Sequence, residues 1–305
     1  MDPDHGRCSP STDADARESR ALCPRCGDVR GCSLGSVRFS RRRDCPERSA
    51  WREDPPQSRA RRVLSGEIRA ICAGPRGACR SRKVRGMFQV SPSLEAGCQL
   101  DLASTLESVR GLEHIHLDVD DGNFVRGITF GMGTVGLVAR NTAIPIDVHL
   151  EVLNPLEYLD PLGESGVAAA CAQVETLLSP SAWLSGLKAR GIGKRGLAIN
   201  LKTPVDEVLS YADQLEYILF VSVEADCEGL PFRPMTLEKL RRARSVVGTD
   251  IELWVDGGIN AGNLRDVVEA GADGVVVGRA VFGAEDPKVA AEEIKRLGES
   301  LRGGA

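Results

Sequence analysis

The fold is decided by the stretch HLDVDDG at residues 116–122, which has the pattern of a β-strand that ends in a turn. Side chains alternate between the two faces of a strand, so His116, Asp118 and Asp120 share one face and the apolar residues between them share the other. If the strand lines a barrel, the apolar face packs against outer helices and the polar face points into the barrel mouth. An imidazole and a carboxylate there can bind one divalent metal ion, although this stretch alone fits a structural role equally well.

Two later stretches favour the metal site. The apolar runs IDVHL at residues 146–150 and LWVDGG at residues 253–258 each bring a ligand-type side chain to the end of a predicted strand. His149 and Asp256 then join the histidine and aspartate of the first stretch, and two His with two Asp suit zinc or another divalent metal. Taken singly, the DGG sequence is also typical of a tight turn.

The chain of 305 residues is long enough for one α/β barrel, which takes ~250 residues or slightly fewer. From Met87 onward, short β-rich runs alternate with helical patterns, which predicts a parallel sheet, and the eight runs predict a closed (βα)8 TIM barrel. The predicted strands are residues 88–93, 114–120, 144–150, 168–174, 196–200, 217–223, 251–256 and 274–277. The clearest helices are residues 156–165, 235–247, 261–270 and 287–301. Pro155 and Pro204 are predicted at first helical positions.

A barrel carries its chemistry at the C-terminal ends of its strands. The predicted strands put the four candidate metal ligands at those ends. Ser93, Gln173, Asn200 and Gly278 are predicted to lie at the same end. This convergence predicts one site rather than a scatter of polar residues.

The first 86 residues differ from the rest in composition. They hold 19 Arg and one Lys against 11 acidic residues, together with seven of the ten cysteines. The segment has little hydrophobic periodicity and cannot bury a core, so we predict that residues 1–86 are disordered and that residues 87–305 form the barrel domain. The excess of Arg is typical of translated upstream sequence, in which case the native chain would begin at Met87.

Functional interpretations of this segment are weaker. Four cysteines between residues 23 and 45 could hold zinc, but their spacing lacks a clean second pair. The Arg runs at residues 41–43 and 61–62 could contact nucleic acid, but no binding fold accompanies them. No stretch has the pattern of a secretory signal or a membrane span, so we expect a cytoplasmic protein with reduced thiols and no nucleic-acid or membrane partner. The sequence does not determine the oligomeric state, and a homo-oligomer is compatible with it.

From residue 87 to the C-terminus, the sequence resembles the ribulose-phosphate 3-epimerases. The matching motifs occur in the family's order. They are SPS at 91–93, HLDVxDGxFV at 116–125 (positions 120 and 123 do not match), ITFG at 128–131, DVHL at 147–150, TLEK at 236–239 and VDGGIN at 255–260.

The resemblance implies epimerisation at C3 of a ketose phosphate, D-ribulose 5-phosphate to D-xylulose 5-phosphate. It implies that Asp118 and Asp256 are the catalytic acid and base, transferring a proton through a metal-stabilised enediolate. The same two aspartates with His116 and His149 would bind one divalent ion, with zinc favoured over Fe, Mn or Co. The implied partner is a small-molecule sugar phosphate. The implied substrate-binding residues are Ser93, His149, Gly229, Gly257, Gly258, Gly278 and Arg279.

The sequence departs from the family pattern at three places. The family's glycine-rich loop after the sixth strand is EADCEGL here, at residues 224–230, and retains only Gly229. Three methionines that line the family's site correspond to Asp120, Glu151 and Val221. Arg279 stands where the family commonly has Ser. Two alternatives therefore stay open: a 3-epimerase of this family that acts on a different or non-phosphorylated ketose, and a non-catalytic metal-binding paralogue.

Overall fold

The computed structural model describes residues 86–224 and 231–303. Within these residues all eight predicted strands are present, and their bounds differ from the prediction by two residues at most. The strands are β1 (Gln89–Pro92), β2 (Ile115–Asp120), β3 (Ile146–Glu151), β4 (Ala169–Gln173), β5 (Lys194–Ile199), β6 (Tyr217–Val221), β7 (Glu252–Asp256) and β8 (Gly274–Val277).

Helices connect the strands. The α-helices are α1 (Leu102–Ser108), α2 (Met132–Asn141), α3 (Leu159–Ser165), α4 (Pro180–Ala189), α5 (Asp206–Leu209), α6 (Met235–Val247), α7 (Leu264–Ala270), α8 (Arg279–Phe282) and α9 (Pro287–Gly303). Pro155 begins a 3-10 turn that leads into α3, as predicted. The prediction for Pro204 was wrong, because α5 begins two residues later at Asp206.

The strands are all parallel and follow the order β1-β8-β7-β6-β5-β4-β3-β2. A single parallel bridge between Ser93 and His116 joins β1 to β2. The eight strands therefore form a nearly closed TIM barrel with helices between successive strands. Because Ser93 lies beyond the end of β1 while His116 is the second residue of β2, the strands are staggered at this seam, as barrel closure requires.

The apolar side chains form two layers. The larger layer lies between strands and helices and includes Leu117, Val119 and Val148, which are buried as the alternating pattern predicted. The smaller layer fills the barrel interior and includes Tyr217, Leu219 and Trp254. Burial of both layers provides the main stabilisation of the fold.

Two strand glycines make room for the aromatic rings of the interior layer. A Cβ on Gly196 would lie 2.5 Å from the ring of Tyr217, and one on Gly274 would lie 2.8 Å from the ring of Trp254. These are positions where a strand glycine permits close approach. The rings occupy the N-terminal half of the barrel, so the polar residues of β2, β3 and β7 line the opposite mouth.

Several predictions concern residues outside the described part of the chain. Residues 1–85 lie outside it, so the predicted disorder and the zinc-binding alternative stay predictions. The same holds for Gly229 and for residues 225–230 of the loop after β6. Of the helices in the described ranges, none is both long enough and apolar enough to cross a membrane.

Candidate active site

The four candidate metal ligands meet in one cluster. One nitrogen or oxygen atom from each of His116, Asp118, His149 and Asp256 lies within 4.8 Å of the others. The first three side chains are buried, and that of Asp256 is partly exposed. Asp118 and His149 are direct neighbours across β2 and β3. Two imidazoles and two carboxylates in a buried cluster match the donor set of a divalent metal site.

The four ligands lie at different depths in the barrel. Asp256 is the last residue of β7, whereas Asp118 and His149 lie two residues before the ends of β2 and β3. His116 lies deeper, at the second position of β2, and not at the strand end as predicted. The stagger at the seam brings this deeper residue level with the end of β1.

The side chain of His116 is held in place by the carboxylate of Asp147. Its Nδ1 contacts Oδ1 of Asp147, and Ser91 Oγ donates to the other oxygen of Asp147 at 2.6 Å. The opposite ring nitrogen, Nε2, lies 3.0 Å from Oδ1 of Asp118. A carboxylate that accepts from one ring nitrogen fixes the tautomer and leaves the other nitrogen free to bind a metal.

Sequence reasoning gave no role to Asp147 or Ser91, although strand alternation gave a partial signal for Asp147. Asp147 precedes His149 by two residues, so it shares the inward face of β3. The register pairs it directly with His116 across β2 and β3. Strand alternation together with that register would have identified this support.

Asp118 is fixed from both its side chain and its backbone. Ser93 Oγ donates to Oδ2 at 2.8 Å, and His149 Nδ1 lies 3.3 Å from Oδ1. Thr129 Oγ1 donates to the carbonyl oxygen of Asp118 at 2.7 Å. Ser93 was predicted as a substrate-binding residue, and its hydroxyl here positions a carboxylate.

The surroundings shift the pKa values of the two aspartates in opposite directions. Burial by itself raises the pKa of Asp118, but the imidazoles of His116 and His149 outweigh burial and hold the pKa well below its usual range. For Asp256, burial and the charge of Asp118 together raise the pKa to about 7. A cation bound among these groups would lower both values.

Nearby carboxylates also shift the pKa values of the two imidazoles. Burial lowers the pKa of His116, but Asp118 and Asp147 reverse this effect and raise the pKa well above its usual value. Burial likewise lowers the pKa of His149, and the carboxylates of Asp118 and Glu151 raise it on balance. At both imidazoles the carboxylates of the cluster therefore oppose the effect of burial on the pKa.

A buried amide connects His149 to a further carboxylate. Gln173, the fully buried last residue of β4, has its Nε2 3.3 Å from His149 Nε2 and 3.0 Å from Glu151 Oε1. Sequence reasoning had placed Gln173 at the site without a role. The amide limits the rotation of the His149 ring.

The cluster opens into a cavity of about 580 Å³. It is lined by seven of the predicted site residues and by the residues at all three of the family's methionine positions. The lining residues that had been predicted are Ser93, Asp118, Asp256, Gly257, Gly258, Gly278 and Arg279, and the three at methionine positions are Asp120, Glu151 and Val221.

The turn after β7 requires glycine. Gly257 and Gly258 have φ angles of +105° and +67°, a region that other residues rarely adopt. Ser222 Oγ lies 2.6 Å from the carbonyl oxygens of both Asp256 and Gly257 and so holds this turn in place. Asp256 and the two glycines thus occupy one fixed turn at the cavity wall.

Asp121 has a structural role, as the turn interpretation of its sequence suggested. Its Oδ1 accepts from the backbone N–H groups of Asn123 and Phe124 at 2.8 and 2.9 Å. Its Oδ2 accepts from the backbone N–H of Leu153 at 2.9 Å, which ties the loop after β2 to the loop after β3.

Residues 89–282 match the family model described as the ribulose-phosphate 3 epimerase family. The chain is 33% identical to a ribulose-phosphate 3-epimerase of Mycobacterium bovis over 68% of this chain and 91% of the relative. It is 31% identical to that of Bacillus subtilis over 68% of this chain and 99% of the relative.

Among solved structures, orotidine 5'-phosphate decarboxylase from Pyrococcus horikoshii OT3 is similar with a TM-score of 0.51 and 16% identity, covering 68% of this chain and 98% of that one. That likeness concerns the barrel fold alone. The family model and the curated relatives, by contrast, span the strands that carry the cluster and the cavity wall. The chain therefore belongs to the ribulose-phosphate 3-epimerase family and is an isomerase that acts on carbohydrates.

Proposed function

We propose that the chain interconverts D-ribulose 5-phosphate and D-xylulose 5-phosphate, using Asp118 and Asp256 as the proton-transfer pair and one divalent metal ion. The observation that carries the proposal is the meeting of these two carboxylates in one metal-type cluster at a cavity wall. The relatives' names supply the substrate.

The metal ligands in this proposal are His116, Asp118, His149 and Asp256, with zinc favoured over Fe, Mn or Co. The donor set fits such an ion, and Asp147 supports His116 in the way that metal-binding histidines are usually supported. When bound, a divalent metal would act as a Lewis acid that makes the proton at C3 of the ketose more acidic.

Epimerisation at C3 removes a proton from one face of the carbon and returns a proton to the other face. Two carboxylates on different strands, β2 and β7, can serve the two faces, each as base in one direction of the reaction and as acid in the other. Hydrogen bonds at both sites support this role. Ser93 restrains Asp118, and Ser222 restrains the turn that carries Asp256.

The glycine side of the cavity is proposed to bind the phosphate. Gly257, Gly258 and Gly278 bring backbone to the cavity wall without side chains, which suits hydrogen bonding to an anion. Arg279 lines the same side and adds a guanidinium for charge-assisted contacts. In the family pattern Gly229 would contribute as well.

The alternative of a non-phosphorylated or different ketose is favoured by one observation. Asp120 and Glu151 add two carboxyl groups to the cavity, which are negatively charged when ionised; burial and the neighbouring Glu151 raise the pKa of Asp120 to about 8. Glu224, the first acid of the divergent loop, does not add to this effect as strongly, because it pairs with Arg233 at 3.2 Å. Each of these groups would repel a dianion that lay close to it.

Deuterium wash-in at C3, measured by NMR on the metal-loaded full chain, separates the alternatives. We expect exchange with D-ribulose 5-phosphate and conversion to D-xylulose 5-phosphate, at higher kcat/KM than with unphosphorylated D-ribulose. Faster exchange with the unphosphorylated sugar would favour the second candidate. No exchange with any ketose would refute epimerase activity.

A further inference from the structure

One carboxyl oxygen in the cavity has no hydrogen-bond partner among residues 86–224 and 231–303. Asp120 Oδ1 is shielded from water and has no hydrogen-bond partner within the described ranges. The side chain ends β2 on the same inward face as His116 and Asp118, and it lines the cavity. Buried polar oxygens are nearly always paired, because leaving one unpaired costs the hydration it has lost.

Glu151 lies directly beside Asp120. The two residues are register partners at the ends of β2 and β3, and both line the cavity. Glu151 is already anchored, since its Oε1 accepts from Gln173 Nε2 at 3.0 Å. Among the ion pairs of residues 86–224 and 231–303, none involves either carboxyl group.

Glu151 lies across the barrel from the turn after β7, and Asp120 lies one strand nearer to that turn. In the ring of eight strands closed by the Ser93–His116 bridge, β3 is four places from β7, and β2 is three places from β7 and two from β8. Gly257 and Gly258 follow β7, and Gly278 and Arg279 follow β8. A ketose 5-phosphate with its phosphate on that side therefore directs its other end, C1, toward β2 and β3.

We propose that Asp120, with Glu151 beside it, accepts a hydrogen bond from the C1 hydroxyl of the ketose and so selects substrates that carry this hydroxyl. The inference rests on the proposed function and names the part of the substrate that the extra carboxyl groups recognise. A 5-phosphate at the turn after β7 would lie half of the strand ring away from Glu151. An apolar side chain at position 120 would offer the hydroxyl no partner.

Site geometry supports Asp120 as the principal contact. Its Oδ1 is unpaired, whereas Oε1 of Glu151 is engaged by Gln173. Gly127 leaves space beside the group, since even a Cβ there would lie 3.7 Å from Asp120 Oδ2. The backbone N–H of Asp120 donates to Thr129 Oγ1 at 3.0 Å, which fixes the base of the side chain.

The test compares D-ribulose 5-phosphate with its 1-deoxy analogue, by kcat/KM for deuterium wash-in at C3 on the metal-loaded full chain. A site built to bind a hydroxyl rejects the analogue that lacks it, so we expect the native chain to favour the parent sugar by ~10²-fold or more. Asp120→Leu should reduce this ratio to about tenfold or less, mainly by lowering kcat/KM for the parent sugar. Asp120→Asn, which retains an acceptor oxygen, should keep most of it.

Glu224→Gln is the matched control, because Glu224 also lines the cavity but has its own partner in Arg233. Its discrimination ratio should equal that of the native chain. A native ratio near one, or an unchanged ratio in Asp120→Leu, would overturn the inference while leaving the epimerase function intact. Exchange with neither sugar would overturn the proposed function and this inference together.

Discussion

Replacing Asp147 with Asn should weaken divalent-metal binding while leaving the barrel folded. Asp147 contacts Nδ1 of His116 and accepts from Ser91 Oγ at 2.6 Å. The amide keeps the shape and can serve both partners, since its NH₂ can donate to the Ser91 hydroxyl. It removes the negative charge that makes the imidazole a stronger ligand. Loss of such a support typically costs 10–100-fold in metal affinity, which corresponds to ~1.4–2.7 kcal/mol.

The assay is the Kd for Zn²⁺, measured on metal-free protein by competition with a chelator of known affinity. Asp206→Asn is the control, because Asp206 pairs with Arg242 on the exposed surface at 2.7 Å and should leave the Kd unchanged. Circular dichroism verifies that both variants are folded. A native Kd in Asp147→Asn would refute the idea that Asp147 prepares His116 as a ligand.

Three further predictions concern metal, the N-terminal segment and the core. His116→Ala and His149→Ala should each lower the amount of bound divalent metal measured by elemental analysis. Full metal occupancy in both variants would show that the metal site lies elsewhere. A chain that begins at Met87 should retain the melting temperature and turnover of the full chain, so a marked fall in either would show that residues 1–86 contribute. Gly274→Ala should lower the free energy of unfolding in urea by ~1–3 kcal/mol, because its methyl group would meet the Trp254 ring at 2.8 Å; unchanged stability would contradict this packing.

The strands and the ligand set could be predicted because both follow from local patterns. Alternation along β2 alone assigns His116 and Asp118 to one face and Leu117 to the other. The number of βα units then predicts a barrel, and a barrel collects strand ends at one mouth. These two rules bring side chains of β2, β3 and β7 together, and the four candidates do meet in one cluster, although His116 lies deeper than the rules predict.

The supporting contacts could not be predicted in the same way, since they depend on register between strands. The Ser93–His116 bridge arises from barrel stagger, and the Asp147–His116 contact arises from the register between β2 and β3; no local pattern encodes either. The start of α5 shows a related limit. Proline has the right φ for a first helical position, but α5 begins two residues after Pro204, at Asp206, with Val205 as its N-cap.

The most direct test of the two-aspartate mechanism is the turnover of D-ribulose 5-phosphate to D-xylulose 5-phosphate by Asp118→Asn and Asp256→Asn, each loaded with metal. Each amide removes one proton-transfer group, so kcat should fall by at least ~10²-fold in both variants. Asp206→Asn again serves as the control and should retain native turnover. Near-native kcat in either active-site variant would contradict the proposed pairing of Asp118 and Asp256.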